Sequence, residues 1–389
     1  MNKEIKQGYK QTKVGIIPDD WEVVKVGEVC DCIVPGRNKP ENFNGDIPWV
    51  TTPDIVGKYI SDTKSKLYIS ADEAKKVGSK IVPKNSVIMS CVGELGLLSI
   101  VTNEIVINQQ LHAFLPSDNV RTEFLHYALH TQRKYMDSVA TKTAVPYMNK
   151  DNCNSIPIVL PPIKEQEKIA EILSTWDEAI TKQEKLIKLK ELQKKALMKK
   201  LLSGEVRFDE FNDKWEELRL RDICYIKKGD QLNKDTLDSY GNFPVINGGI
   251  EPSGYIEEWN TEENTITISE GGNSCGYVNF IQDKFWSGGH CYTLLNLKID
   301  KIFLFQFLKY NQHNIMKLRV GSGLPNIQKS AIEKFSVNKP SLPEQQKIAG
   351  VLSLADDEIN FLRNELKELK LQKKALMQKL LTGEVRIDV

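Results

Sequence analysis

Pro53-Asp54 is followed downstream by Glu73-Ala74-Lys75, and that order imitates a metal-dependent nuclease triad. The two carboxylates would hold Mg²⁺ and the lysine would orient a nucleophilic water. A plainer reading competes. In a chain with 27% charged residues a Glu-x-Lys arises often, and ADEAKKVG reads as a short solvated helix. The matching place in the second half carries Ile250 and Glu251, with no counterpart of Asp54. His126 and His130 stand at i,i+4, which is ligand spacing on a helix. No further His or Cys is spaced to complete a site, so a packed or surface pair is the stronger reading. Walker A, HExxH and GxSxG patterns are absent, and Gly93-Glu94-Leu95-Gly96 lacks dinucleotide-fingerprint spacing. The seven cysteines are scattered, Cys30 and Cys32 are too close for a metal knuckle, and no CxxC occurs. The expectation is reduced, mostly buried thiols, no metal ligands and no catalytic residues.

Binding chemistry is better represented. Arg37, Asn38 and Lys39 share one turn, and Lys227, Lys228 and Gln231 hold the matching turn later in the chain. Lys142 and Thr143 precede Pro146, Tyr147 and Asn149, much as Arg319 and Ser322 precede Pro325 and Asn326. Thr51, Thr52, Asn247, Asn273 and His290 lie in further polar or glycine-rich loops. Arg and Lys suit phosphates, while Asn and Gln suit adenine edges. Each turn alone reads as a solvated loop. Their recurrence at matching places favours a binding role for the whole set.

The elements that must position these loops come from a tandem duplication. A shift of about 179 positions, far beyond solenoid periods, lays EQEKIAEILS (165–174) on EQQKIAGVLS (344–353). It also lays LQKKALM (192–198) on LQKKALM (371–377), and LLSGEVR (201–207) on LLTGEVR (380–386). Ile348, Leu352, Ala355, Ile359, Leu362, Leu366, Leu369, Lys373, Leu376 and Leu380 step by four and three, a heptad seam. The first copy has the same seam interrupted by Gln183, Lys190 and Lys194. Pro161-Pro162 and Pro343 suit helix starts, and Gly204 and Gly383 suit C-terminal caps. Each helix would run about 60 Å at 1.5 Å per residue, and its seam reads as plain coiled-coil core. Ahead of each helix, IPWV, SVIMS, LLSIV and EIVI, or TITIS and CYTLL, read as strands. TEFLHYALHTQRKYM (122–136) and KIFLFQFLKYNQHNIMKL (301–318) each read as one helix. The fold class is α+β: two globular parts, 1–158 and 208–338, and two pairing helical parts, 159–207 and 339–389. At 389 residues the chain suits two or three domains. A net charge of +1 is less basic than the usual nucleic-acid footprint. Neither a membrane span nor a signal-peptide h-region is evident, which reads as soluble and cytoplasmic.

PPIKEQEKIAEIL…DEAI…LQKKALMKKLLSGEVRF, repeated as LPEQQKIAGVL…DDEI…LQKKALMQKLLTGEVRI, resembles the specificity subunit of type I restriction–modification systems. TAVPYMNKDNCNSIPI (143–158) is similar to the way that family's target-recognition domains end. The resemblance covers essentially the whole chain. It implies that each globular domain reads one half of a split site in double-stranded DNA. The helices would run antiparallel, set the unread spacer and dock two methyltransferase subunits. S-adenosylmethionine would belong to those subunits, and ATP and Mg²⁺ to restriction subunits, leaving this chain without a cofactor. KPSLPEQQ (339–346) departs from the pattern in lacking the double proline. A Mg²⁺-dependent nuclease using Asp54, Glu73 and Lys75, and a coiled-coil adaptor that does not read DNA, stand as alternatives.

Overall fold

The computed structural model describes residues 5–36, 38–321, 323 and 325–387. The chain forms two compact units, Met1–Lys182 with Leu366–Val389, and Gln183–Glu365. Each unit therefore takes one globular part together with a portion of both long helices.

In the first unit, Val87–Ser90 and Leu98–Val101 are buried along their whole length and Leu111–Pro116 along most of it, so they read as continuous apolar runs. They lie in a five-stranded sheet ordered Cys30–Ile33, Leu111–Pro116, Val87–Ser90, Leu98–Val101, Tyr59–Ile60. Its pairs are antiparallel except the last, which is parallel. A second sheet orders Tyr68–Ile69, Ile47–Val50, Ile105–Ile107 and Ile81–Val82. The chain enters on Glu22–Lys25 and leaves on Pro157–Leu160, and these two strands pair antiparallel.

The second unit repeats the plan. Tyr225–Lys228, Cys291–Leu295, Thr265–Ser269 and Val278–Ile281 make a four-stranded antiparallel sheet. Tyr255–Ile256, Phe243–Ile246 and Trp286–Ser287 make a smaller one. Entry strand Glu216–Arg219 again pairs with exit strand Ser336–Lys339. The helix expected over 122–136 is two helices, Thr122–His130 and Arg133–Val139. The one expected over 301–318 is likewise split into Lys301–Tyr310 and Gln312–Met316. A side chain closes the last turn before each break. The Thr131 hydroxyl donates to the Ala128 carbonyl at 2.7 Å, and Asn311 Nδ2 donates to the Phe307 carbonyl at 3.0 Å. Such local bonds compete with helix continuation.

The long helices span Ile163–Leu202 and Leu342–Thr382. Gly204 and Gly383 follow them at φ +73° and +70°, the left-handed cap that glycine adopts without penalty. Their seam is not plain coiled-coil core throughout. In the first unit Ile169 and Leu173, near the start of one helix, share a core with Leu380 and Leu381 from the end of the other, around Trp21, Phe114 and Phe124. The second unit mirrors this, with Ile348 and Leu352 beside Leu201 and Leu202. Burying such a side chain contributes roughly 1.5–3 kcal/mol, so the helix ends belong to the domain cores.

Between those ends the polar seam positions find partners. In the second unit Gln183 Nε2 donates to the Leu362 carbonyl at 3.1 Å, Lys190 pairs with Glu358 at 2.6 Å, and Lys194 with Asp356 at 2.5 Å. Partners descend along one helix as they ascend along the other, so the two segments run antiparallel. In the first unit Lys373 pairs with Asp177, the repeat-equivalent of Lys194 with Asp356.

A buried glutamate anchors each unit. Glu165 accepts from Trp21 Nε1 at 3.0 Å and from Arg386 Nε at 2.8 Å and Nη2 at 3.0 Å. Glu344 accepts from Trp215 Nε1 at 3.1 Å and from Arg207 Nε at 2.9 Å and Nη2 at 2.7 Å. The adjacent glutamines are equally committed. Gln166 accepts the Arg121 backbone N–H and donates to the Pro161 carbonyl, while Gln345 accepts that of Asp300 and donates to Pro340. Each carboxylate is removed from water and held by a two-pronged guanidinium, the strong form of this bond. Removing one partner leaves a buried charge unmatched, which costs about 3–5 kcal/mol. Denaturant unfolding of Arg386→Ala and Arg207→Ala should each show a clear loss of stability, because Glu165 or Glu344 is left buried without its guanidinium. Lys182→Ala, at an exposed pair, should stay within about 0.5 kcal/mol of the parent.

Candidate nucleic-acid interface

The two carboxylates of the nuclease-like triad are spent on structure, while Lys75 is exposed. Asp54 is buried, and its carboxylate accepts from the Thr51 backbone and hydroxyl at 2.7 Å each and from the Lys64 backbone at 2.6 Å. Glu73, expected on a solvated helix, is also buried, as is Ala74. Its carboxylate accepts from the backbone of Glu41 at 2.7 Å and from the Asn42 amide at 3.2 Å, and these bonds, Glu41 first, hold it below its ordinary pKa. Asp54 and Glu73 therefore tie down different loops, with their lone pairs directed at backbone donors.

In the first unit, Asn38 and Lys39 are exposed, and Lys39 lies over the Trp49 ring at 5.8 Å. Arg37 lies outside the described residues. Gln109 Nε2 reaches the Gly36 carbonyl at 3.2 Å, and Gln110 Oε1 accepts from Thr52 at 3.1 Å. The loop with Lys142, Thr143, Tyr147 and Asn149 is fastened to the loop after Ser90 by two backbone bonds and closed on itself by a third. These run Gly93 to Pro146, Met148 to Cys91, and Thr141 to Tyr147, at 2.9 Å each. Thr51 caps Asp54 and Asn149 caps the helix Lys150–Asn154, so those two side chains already have structural work. Thr143 bonds the Val145 carbonyl at 2.7 Å, while Lys142 and Tyr147 are exposed.

The second unit repeats the fastening at equivalent residues: Gly272 to Pro325, Ile327 to Glu270, and Val320 to Asn326. Asn273 and Arg319 are exposed on these loops, and Ser322 lies outside the described residues. Glu270 gathers the neighbouring side chains. It pairs with Lys228 at 2.6 Å, sits 3.3 Å from His290 Nδ1, and accepts from the Tyr292 hydroxyl at 3.0 Å. Burial pushes its carboxyl up, but the bonds from Lys228, Tyr292 and His290 outweigh that and leave it below its ordinary range. Asn247 accepts the His290 backbone N–H at 3.2 Å. Gln231, Asn247 and His290 line one cleft of roughly 570 Å³. Lys227 is paired with Asp230 at 3.7 Å.

Sequence reasoning missed Gln109 and Gln110. Both are exposed, Gln109 reaching Gly36 and Gln110 beside Thr52, and the Gln110 carbonyl accepts the Cys91 N–H as that of His290 accepts the Glu270 N–H, one residue off the constant shift. The constant shift lays Gln110 on Gly289, so that signal appears only in the strand pairing. Tyr240, 85% exposed on the second unit's 229–242 stretch, was missed as well. His126 and His130 do pack together, rings 4.6 Å apart and edge-on. Burial, then the nearby charges of His130, Lys58 and Lys373, hold His126 neutral, and both its ring nitrogens lack a partner among the described residues. Among the described residues, no helix is long and apolar enough to cross a membrane.

The type I restriction modification DNA specificity domain model matches residues 18–191 and 212–371. The chain is 25% identical to the type I restriction enzyme MjaIX specificity subunit of Methanocaldococcus jannaschii, over 98% of this chain and 97% of the relative. It is 25% identical to the MjaVIII specificity subunit of the same organism, over 95% and 94%. In fold it is similar to the crystal structure of the type I restriction–modification S subunit from M. genitalium, with a TM-score of 0.62 and 21% identity over 95% of this chain and 96% of that one.

Replacing Asp54 by Ala should cost about 1–3 kcal/mol, because buried donors lose their acceptor. Mg²⁺ should not change the melting temperature of the parent or the variant. A Mg²⁺-dependent rise present in the parent and absent from Asp54→Ala would restore the metal-site reading. The Glu73 contribution, from a carboxyl held below its unfolded value, should be complete at neutral pH and fade as pH falls through the low carboxylate range.

Proposed function

The chain belongs to the type I restriction–modification DNA specificity family, and from that premise we propose that each of its units reads one half of a split site in double-stranded DNA. The observation that carries this is the matched fastening of two loop clusters. The backbone bonds are equivalent in the two units, while the side chains they present differ: Gln110 against His290, Tyr147 against Asn326. A constant frame with changed polar groups is what two readers of different base sequences require, since base edges are told apart by donor and acceptor pattern. Lys39, Lys142, Lys228 and Arg319 supply phosphate contacts, and Asn38, Gln110, Asn247 and His290 face base edges.

The long helices serve as the spacer between readers and as the docking surface for two methyltransferase subunits. Leu192 and Leu371, equivalent positions in the two LQKKALM copies, are both exposed on them, at 62% and 52%. An apolar side chain left in water at the same place in each repeat suits two identical partners. The chain itself is non-catalytic in this account. S-adenosylmethionine, ATP and Mg²⁺ act on the methyltransferase and restriction subunits, where the chemistry resides. Phosphate contacts by those partners offset this chain's near-neutral charge.

The test is modular exchange. Residues 1–158 are replaced by the corresponding domain of another family member, the chain is co-expressed with its methyltransferase, and methylated sites are mapped genome-wide. One half of the recognised sequence should change and the other persist. A change in both halves, or in neither, contradicts independent readers.

A further inference from the structure

Three soft donor atoms meet inside the first unit. Cys91 Sγ and Cys153 Sγ are 3.5 Å apart, and His112 Nδ1 is 3.2 Å from Cys153 Sγ. All three atoms lie within 4.8 Å of one another, and the three residues are 0–3% exposed. They come from separate elements: Cys91 just past the strand Val87–Ser90, His112 on Leu111–Pro116, and Cys153 on the helix Lys150–Asn154. A tetrahedral Zn²⁺ with bonds of about 2.3 Å to sulfur and about 2.0 Å to nitrogen separates two sulfurs by about 3.8 Å, and a sulfur from a nitrogen by about 3.5 Å. The Cys91–Cys153 and Cys153–His112 spacings need only a few tenths of an ångström of opening. Cys32, on the neighbouring strand Cys30–Ile33, pairs directly with Phe114 and so shares the sheet face of His112. It is partly buried against the core that contains Cys91 and Cys153, and its thiol, outside the 4.8 Å group, would have to turn inward to serve as the fourth donor.

A buried cysteine is ordinarily a small apolar core residue. The duplication argues against that for this group. By strand register the equivalent positions in the second unit carry Glu270, Tyr292 (one residue off the constant shift) and Ile332, and there the Tyr292 hydroxyl bonds the Glu270 carboxylate. The fold accepts an ordinary hydrogen-bonded pair at this spot, so it has no need for sulfur and imidazole. We propose that Cys91, His112 and Cys153, completed by Cys32, form a binding site for Zn²⁺ or a similarly soft divalent cation. Binding turns the thiols into metal-bound thiolates and releases their protons to solvent.

The site underlies the 141–149 loop. Cys91 accepts the Met148 N–H, Val92 bridges Tyr147, and the Cys153 N–H bonds the carbonyl of Asn149. A metal here holds the 147–149 end of that loop, and with it the proposed DNA-facing Tyr147. This consequence for DNA rests on the reading above, whereas metal binding itself does not.

The full chain, stripped with a chelator under reducing conditions, is titrated with Zn²⁺ against a chromogenic competitor and separately with Co²⁺. One equivalent should bind per chain, and Co²⁺ should give a thiolate charge-transfer band. Both signals should vanish in Cys153→Ser and persist in Cys224→Ser, whose cysteine lies in the other unit's core. Affinity in His112→Gln should fall more than about 100-fold, since losing an outer-shell partner alone costs about 10–100-fold. Failure to compete for Zn²⁺, or unchanged binding by Cys153→Ser, would overturn the site. So would a Cys91–Cys153 disulfide formed on mild oxidation of a chain that takes up no Zn²⁺. If Cys153→Ser does not fold, the Co²⁺ spectrum of the unaltered chain decides, and absence of a sulfur band overturns the proposal. A methylation map that contradicts half-site reading would leave the metal stoichiometry untouched, so the two failures are distinguishable.

Discussion

Two buried glutamates carry the architecture. Glu165 and Glu344 each bind an arginine from the stretch just past a long helix and an indole from the start of a globular part. Neither partner is local: Arg386 lies 221 positions from Glu165, and Trp21 lies 144. A carboxylate so placed is tolerable only when its partners are present. The pair of anchors therefore makes the second helix's end part of the first unit and the first helix's end part of the second. Tyr9, whose hydroxyl donates to the Gly383 carbonyl at 2.8 Å, adds to the same closure.

Anchoring the helix ends in the cores changes how the seam works. Its apolar end positions stabilise the globular parts, while register falls to polar residues nearer the middle. Gln183, Lys190 and Lys194 break the heptad as a hydrophobic pattern, yet each meets a specific group on the opposite helix. The Lys–Asp pair recurs with its equivalents exchanged, Lys373 with Asp177. Such partly buried pairs add little net stability but penalise slipped registers, the best-attested use of polar groups at a helix seam.

Much of this was legible before any coordinates. The duplication, the two long helices with their proline starts and glycine caps, and most strands follow from period and turn chemistry. Misses arose where meaning depends on convergence. The Glu-Gln of each helix start stood only as part of the repeated signature, because nothing local announces an arginine arriving from the far end of the repeat. Thr131 and Asn311 split helices whose apolar pattern runs straight through, because one side-chain bond outweighed the pattern. Asp54 and Glu73 resembled metal ligands in order and type, and only their backbone donors revealed caps. Gln110 was passed over although its counterpart by strand register, His290, was chosen. Cys91, His112 and Cys153 have no spacing signature, since three separate elements bring them together.

In the function proposed here, the two long helices set the gap between the two half-site readers. It is tested most directly by lengthening that pair. A heptad inserted between Lys182 and Gln183, with a matching heptad between Glu365 and Leu366, adds about 10.5 Å of helix, or about three base pairs at 3.4 Å each. Methylation mapping of the lengthened chain with its partners should find both half-sites unchanged and the gap between them about three base pairs wider. An unchanged gap, or altered half-sites, would contradict the account.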